Sequence, residues 1–288
     1  MRADSLSVHP GDQRGEVNTV YGGVRFSMIG ASASPPREAH SAVGGPAFVS
    51  VVCSLRGRAV RSLRRDRANR FGRARWSGGS ATVAADGVRA HLRAIGPRHF
   101  VATVDHQFEE GHESFGIHHV EEVLAVTLLE RLGGFVLHAA GIELGGGVVG
   151  FFGPSGAGKT TACALTDRPY YARDRMAIAL MPDGEWWAWP LLGGTLPEGR
   201  LPADPTGAPL LGLLRVHHAS PGTRETRLLP LAPHEATFTL RESVFTTDGS
   251  ELDRLERVAR AGTQVPVGRI WTTLSQNPLG PIGRWLAS

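Results

Sequence analysis

The sequence predicts an α/β protein built on a mixed sheet, and three observations carry that reading. A glycine-rich loop ending in Lys159-Thr160 stands between an apolar run and a short helical stretch. Upstream, residues 48–104 hold several short apolar or alternating runs separated by turn signals, which is β patterning. Between these two regions, residues 118–132 repeat their apolar positions at helical spacing.

Composition sets the frame. The chain has 288 residues, room for one large domain or two small ones. Its hydrophobic share of 41% and charged share of 20% are those of a protein with a core. No apolar run reaches the roughly 18 residues of a membrane span. The first 19 residues are polar and hold no apolar leader segment. The expected compartment is therefore cytoplasmic, with no membrane partner. Cys53 and Cys163 read as two buried thiols in a reducing environment, a single disulfide being the alternative.

The elements follow in order. Residues 1–20 read as a disordered tail and 21–115 as an N-terminal β-rich region, with strands expected at 48–55, 80–84, 88–95 and 100–104. Gly78-Gly79 and Asp86-Gly87 are the turn signals that make this region a small antiparallel sheet. Residues 116–288 form the second unit. In it, Val120, Val123, Leu124, Thr127, Leu128 and Leu132 line one face of a helix that Gly133-Gly134 stops. Strands follow at 135–138, 141–144 and 148–152, the last two joined by Gly145-Gly146-Gly147 in a tight hairpin. A short helix, 160–166, is closed by Pro169. A strand at 176–180 is entered from Arg173-Asp174-Arg175, and Pro182-Asp183-Gly184 reads as a turn. Then come a strand at 212–217, helices at 233–245 and 250–261, a strand at 265–272 and a loose tail. Trp186, Trp187 and Trp189 read as core.

Of the 31 cationic side chains, 30 are arginine and one is lysine, Lys159. In so arginine-rich a chain, lysine is retained where a compact ammonium is needed and a planar guanidinium does not fit. The arginines concentrate between Arg56 and Arg75, with Asp66 among them. That cluster reads as solvated edge strands, with a docking surface for an acidic partner as the alternative. Nucleic acid is not expected, since no aromatic residues interleave with the arginines to stack on bases.

Gly153, Pro154, Ser155, Gly156, Ala157, Gly158, Lys159 and Thr160 match the phosphate loop G-x-x-x-x-G-K-[ST], with Thr161 continuing it. The glycines let the backbone wrap a phosphate with its amides inward. Lys159 then reaches the β- and γ-phosphate oxygens, the Thr160 hydroxyl faces Mg²⁺, and the following helix points its free N–H groups at the anion. ATP and Mg²⁺ are thus the expected ligands. No LSGGQ-like signature accompanies the loop, and an NKxD element is impossible once the lysine is spent, which excludes ABC-type ATPases and GTPases.

The stretch from Leu137-His138-Ala139-Ala140-Gly141-Ile142 through the phosphate loop resembles the HPr kinase/phosphorylase family and its PEP-carboxykinase-like relatives. Those proteins carry a histidine strand, a glycine hairpin, the phosphate loop and then an acidic pair opening the next strand. His138 lies 15 residues before Gly153, as in the family, and Asp174 lies 15 after Lys159, a shorter spacing than is typical. The likeness is good over 117–180 and looser over 190–270. Arg173-Asp174 replaces the family's adjacent aspartates, and the glycine-rich signature near the end of true HPr kinases is missing. The resemblance therefore implies a divergent member with a PEP-carboxykinase-like P-loop domain, and not the enzyme that phosphorylates HPr.

By that resemblance Asp174, with Lys159 and His138, forms the catalytic set. Asp174 accepts the proton of an attacking hydroxyl or joins Thr160 on Mg²⁺, while His138 bonds Asp174 or the phosphates. Arg173 or Arg175 is the candidate for transition-state charge. The implied function is an ATP-dependent serine-type kinase whose acceptor is a peptide, protein or small molecule. The alternative is a nucleotide-binding regulatory or scaffold protein with weakened catalysis, and a homo-oligomer stays open. The pairs His118-His119 and His217-His218 lack chelating spacing, so no metal site is expected from histidines.

Overall fold

Alternation of apolar and polar residues builds the first half of the molecule. The computed structural model describes residues 16–29, 47–62, 72–110, 113–191, 207–218, 225–245, 251–273 and 276–288. Its first seven strands are β1 (Glu16–Tyr21), β2 (Val24–Ile29), β3 (Val49–Val60), β4 (Arg73–Ser77), β5 (Ser80–Ala85), β6 (Val88–Gly96) and β7 (His99–Glu109). In β3, Val49, Val51, Cys53 and Leu55 are buried while Val52, Ser54 and Arg56 face away, the period-two signature of a half-buried strand.

These strands form one sheet in the order β1-β2-β3-β7-β6-β5-β4. β3 runs parallel to both β2 and β7, and the remaining neighbours are antiparallel. The antiparallel expectation is thus corrected to a mixed sheet. Alternation shows which face of a strand is buried, but not which distant strand it pairs with or in which direction. The tail is corrected as well: residues 16–20 belong to β1, which pairs along its length with β2. Residues 1–15 and 63–71 lie outside the described residues.

Helix α1 (Glu113–Arg131) follows, so the boundary read at 115 falls in its first turn. Every residue from Val120 to Leu129 is buried, which a one-sided amphipathic helix would not show. One side packs on the first sheet and the other on Val136, Ala177, Ala179, Trp189 and Leu191, all in a single hydrophobic cluster.

The second half comprises β8 (Phe135–Leu137), β9 (Ala139–Leu144), β10 (Gly147–Phe152), α2 (Lys159–Ala164), β11 (Tyr170–Ala172), β12 (Arg175–Leu180), β13 (Trp186–Leu191) and β14 (Ala208–His218). It continues with β15 (Arg227–Pro230), α3 (Pro233–Arg241), β16 (Val244–Phe245), α4 (Glu251–Gln264), β17 (Val267–Thr272) and α5 (Leu279–Leu286). The strand order is β11-β9-β10-β14-β13-β12-β8-β16, and β17 joins β14 to β15. The chain is therefore mixed α/β, with two mixed sheets and few helices.

The expected glycine hairpin is present: β9 and β10 are antiparallel, and Gly145 and Gly146 turn at φ 59° and 85°. Two consecutive positive φ values match the twist of a two-residue hairpin and favour glycine. The turn at 182–184 joins β12 to β13, with Gly184 at φ 91°. Two expectations fail. The helix read to 245 stops at Arg241, because Val244–Phe245 pairs with β8 instead. The loose tail contains α5, whose Ile282 is buried.

Trp186 and Trp189 are buried and Trp187 is partly so, as core packing requires. Cys53 and Cys163 are both free and buried. No helix among the described residues is long and apolar enough to cross a membrane.

Candidate functional site

β10 is apolar and wholly buried between β9 and β14, and it delivers the glycine-rich loop 153–160 at its C-terminal end. There the backbone turns through Gly153, Gly156 and Gly158 at φ 142°, 80° and 89°. Side chains other than glycine rarely take these conformations, which explains the residue type at each position. Ala157 N–H donates to the Pro154 carbonyl at 3.2 Å, and Ala162 N–H to Gly158 at 2.8 Å, tying the loop to α2.

Lys159 opens that helix with only 7% of its surface exposed. Its Nζ donates to the carbonyls of Gly153 and Pro154, each at 3.0 Å. Burial lowers its proton affinity, and the negative charge of Asp174 opposes that shift. Thr160 is half-buried, and its own carbonyl accepts the Tyr170 hydroxyl at 3.0 Å. Pro154, Ser155 and Thr161 are exposed.

The antiparallel register sets Ala139, the first residue of β9, opposite Phe152, the last of β10. His138 therefore emerges beside the start of the loop. At His138 the chain also changes partners: β8 pairs with β12 and β16, whereas β9 pairs with β10 and β11. The segment from β11 to β12 makes the same change at Arg173-Asp174. Backbone bonds hold the crossing, Ala139 N–H to Asp174 O at 3.1 Å and His138 N–H to Ser243 O at 2.8 Å.

At this crossing His138 Nε2 lies 3.2 Å from Asp174 Oδ1. The hydrogen bond from His138 holds the Asp174 carboxyl below the usual carboxylate range, with Arg175 and Lys159 adding to it and burial opposing it. Arg175 Nε approaches Asp174 Oδ2 at 3.3 Å, and its NH1 donates to Glu122 Oε1. Phe245 flanks both groups, its ring centroid 5.7 Å from that of His138 and 5.5 Å from the Arg175 guanidinium carbon.

His138, Asp174, Lys159 and the loop thus share one end of the sheet. Arg175 lies against two carboxylates, those of Glu122 and Asp174. Arg173 is half-buried, and no hydrogen bond or ion pair joins it to the loop among the described residues. His118 bonds Glu121 at 3.0 Å, His119 bonds the Asp86 carbonyl at 3.0 Å, and His217 stacks on Trp271 at 5.2 Å. No group of three His, Cys, Asp or Glu residues suited to a metal ion occurs among the described residues.

Three participants escape the sequence reading. Glu122 reaches the site only through α1 packing against β12. Phe245 arrives because α3 ends early. His218, at the end of β14, hydrogen-bonds Gly156 O through Nε2 at 2.9 Å. Its signal was its place at the end of an apolar strand, since a strand parallel to β10 delivers its last residues to the same loop.

The residues fit a phosphate: a nearly buried ammonium is held by two neutral carbonyls, which cannot cancel its charge. They also fit Mg²⁺ carried in on a nucleotide, because that ion keeps several waters and needs only one or two protein oxygens. Against known proteins, no family model matches the chain and no curated protein matches it either.

Proposed function

We propose that the chain is an ATP-dependent phosphotransferase of the HPr-kinase-like kind, with a PEP-carboxykinase-like P-loop domain. It moves the γ-phosphoryl group to a serine-type hydroxyl of a peptide, protein or small molecule. The observation that carries this reading is that Lys159 turns into the loop while the His138–Asp174 pair stands at the same sheet end.

In this reading the loop amides and Lys159 hold the β- and γ-phosphates. Thr160 is the residue that would hold Mg²⁺, which when bound neutralises phosphate charge, and Asp174 is left free to act as the base. The acceptor O–H bond breaks and its proton passes to Asp174. The hydroxyl oxygen bonds to the γ-phosphorus as the bond to the β-phosphate oxygen breaks, and ADP leaves. A carboxylate held below its usual range is a weak base. A loose phosphoryl-transfer transition state needs little base strength, because the proton leaves late. His138 and Arg175 fix the two Asp174 oxygens, so that positioning supplies the catalysis.

A second reading, nucleotide binding with weakened chemistry, is favoured by Arg173 standing where the resembled family has an acid. Calorimetric titration with ATP·Mg²⁺, followed by γ-labelled ATP with serine-containing peptides, separates the two. Binding with transfer supports the first reading, and binding without transfer supports the second. Lys159→Ala should abolish both signals. Absence of binding in the unaltered chain overturns both readings.

A further inference from the structure

The outer face of the first sheet, opposite α1, is a trough with no described element packed on it. Two rows of side chains cross it in register. One runs Arg75, Thr82, His91, Thr103, Ser54 and Ile29, with Glu16 of β1 next in register beyond the trough. The other runs Ser77, Ser80, Arg93, Val101 and Val52, with Ser27 of β2 next in register. Together they line a depression of about 610 Å³. One end is cationic, and the other is apolar, with Ile29 and Val52 each 42% exposed.

Charge on this face is lopsided. A third row, Arg73, Ala84, Arg89, Asp105 and Arg56, adds three arginines and one acid. No ion pair among the described residues neutralises Arg75 or Arg93.

From this we propose that the trough docks an extended acidic polypeptide, its carboxylates on Arg75 and Arg93 and an aliphatic or aromatic side chain on Ile29 and Val52. Six strands spaced at about 4.8 Å give a trough about 24 Å across, the length of about seven extended residues. Guanidinium groups favour carboxylates because the planar fork meets two oxygens at once.

The chain itself offers no matching occupant. Outside the described residues, Arg2 and Arg14 balance Asp4 and Asp12, Arg37 balances Glu38, and 63–71 is basic. Residues 192–206 hold Glu198 and Asp204 against Arg200, an excess of one acid, and 246–250 hold Asp248 alone. Single-stranded nucleic acid is the poorer fit: no Phe, Tyr or Trp lines the trough to stack a base, and Trp76 of β4 packs against the core on the opposite face.

The test is fluorescence anisotropy on the full chain. The probe is a labelled peptide with a Leu-Phe-Leu block followed by glutamates, and the controls are its lysine counterpart and a single-stranded oligonucleotide of equal charge. The acidic peptide should bind more tightly than either control, and added salt should weaken it. Arg75→Glu with Arg93→Glu should weaken binding about tenfold or more. Val52→Asp should weaken it independently at the apolar end. Both variants should keep the parent melting temperature, since the altered side chains are exposed. Lys159→Ala should leave peptide binding unchanged, so the surface stands or falls apart from the nucleotide reading. Equal binding of the lysine peptide, or acidic-peptide binding indifferent to both variants, overturns the proposal. Tighter oligonucleotide binding lost on charge reversal overturns it in favour of nucleic acid. A dimer dissolved by the same reversal, seen in sedimentation, overturns it in favour of a second copy.

Discussion

His138 Nε2 and Asp174 Oδ1 lie 3.2 Å apart where two neighbouring chain segments each exchange one set of strand partners for another. The contact depends on both crossings. Either residue is therefore set by backbone pairing on two sides, and the imidazole holds the carboxylate in one orientation beside the phosphate loop.

Asp174→Asn should leave ATP·Mg²⁺ affinity within about threefold while lowering phosphoryl transfer about a hundredfold or more. Single-turnover kinetics with labelled ATP checks both arms. Full transfer in this variant would remove Asp174 from the mechanism.

His138→Gln should shift the pH profile. The imidazole is the foremost cause of the lowered Asp174 pKa. The base must be ionised, so activity is lost as pH falls through its pKa. Weakening the hydrogen bond raises that pKa, and the acidic limb of the rate profile should move to higher pH. A limb that stays in place would assign His138 no part in tuning the carboxylate.

Glu122→Gln should be costly to the fold. The Glu122 and Arg175 side chains are 5% and 7% exposed, and removing one charge leaves the other buried with less compensation. Urea denaturation should show a loss of about 3 kcal/mol. The same change should slow transfer by loosening Asp174, without a matching rise in the KM for ATP.

His118 has its proton affinity raised, chiefly by its hydrogen bond to Glu121. A raised folded pKa stabilises fully below the unfolded value of about 6.5 and is lost as pH rises through the folded value. The melting temperature of the parent should therefore exceed that of His118→Gln by more at about pH 5.5 than at about pH 8. A pH-independent difference would contradict the assignment.

Both cysteines should resist thiol reagents in the native state. Burial pushes Cys53 up to about 12 and raises Cys163 as well, so neither forms thiolate near neutrality. Ellman's reagent should react with both only in denaturant. Fast native labelling of Cys163 would show that α2 opens readily.

The parts legible in the sequence were those whose determinants are local. Gly145-Gly146 dictates its hairpin by positive φ, Gly153, Gly156 and Gly158 the turn that follows β10, and Pro182-Asp183-Gly184 the turn between β12 and β13. Partner choice was not local. Nothing in Val49–Val60 announces that it lies parallel to both β2 and β7, because its alternation fits either direction. Val244 and Phe245 extend the helical period of α3 and leave it only because β8 offers an open edge. α5 was hidden by Pro281 and two glycines within eight residues. The candidate site divides along the same line: Lys159 is named by its motif and His138 and Asp174 by the family resemblance, whereas Glu122 lies 53 positions from Arg175 and meets it only through packing.

The solitary lysine makes the loop that precedes α2 its own reporter. A protease specific for lysine has one target bond in this chain, between Lys159 and Thr160. That bond is closed while the ammonium is clamped to two carbonyls at the helix start. The rate of a single cut, yielding two fragments of known size, thus measures how often this turn of backbone comes undone. A ligand that grips the ammonium should slow the cut in proportion to its occupancy.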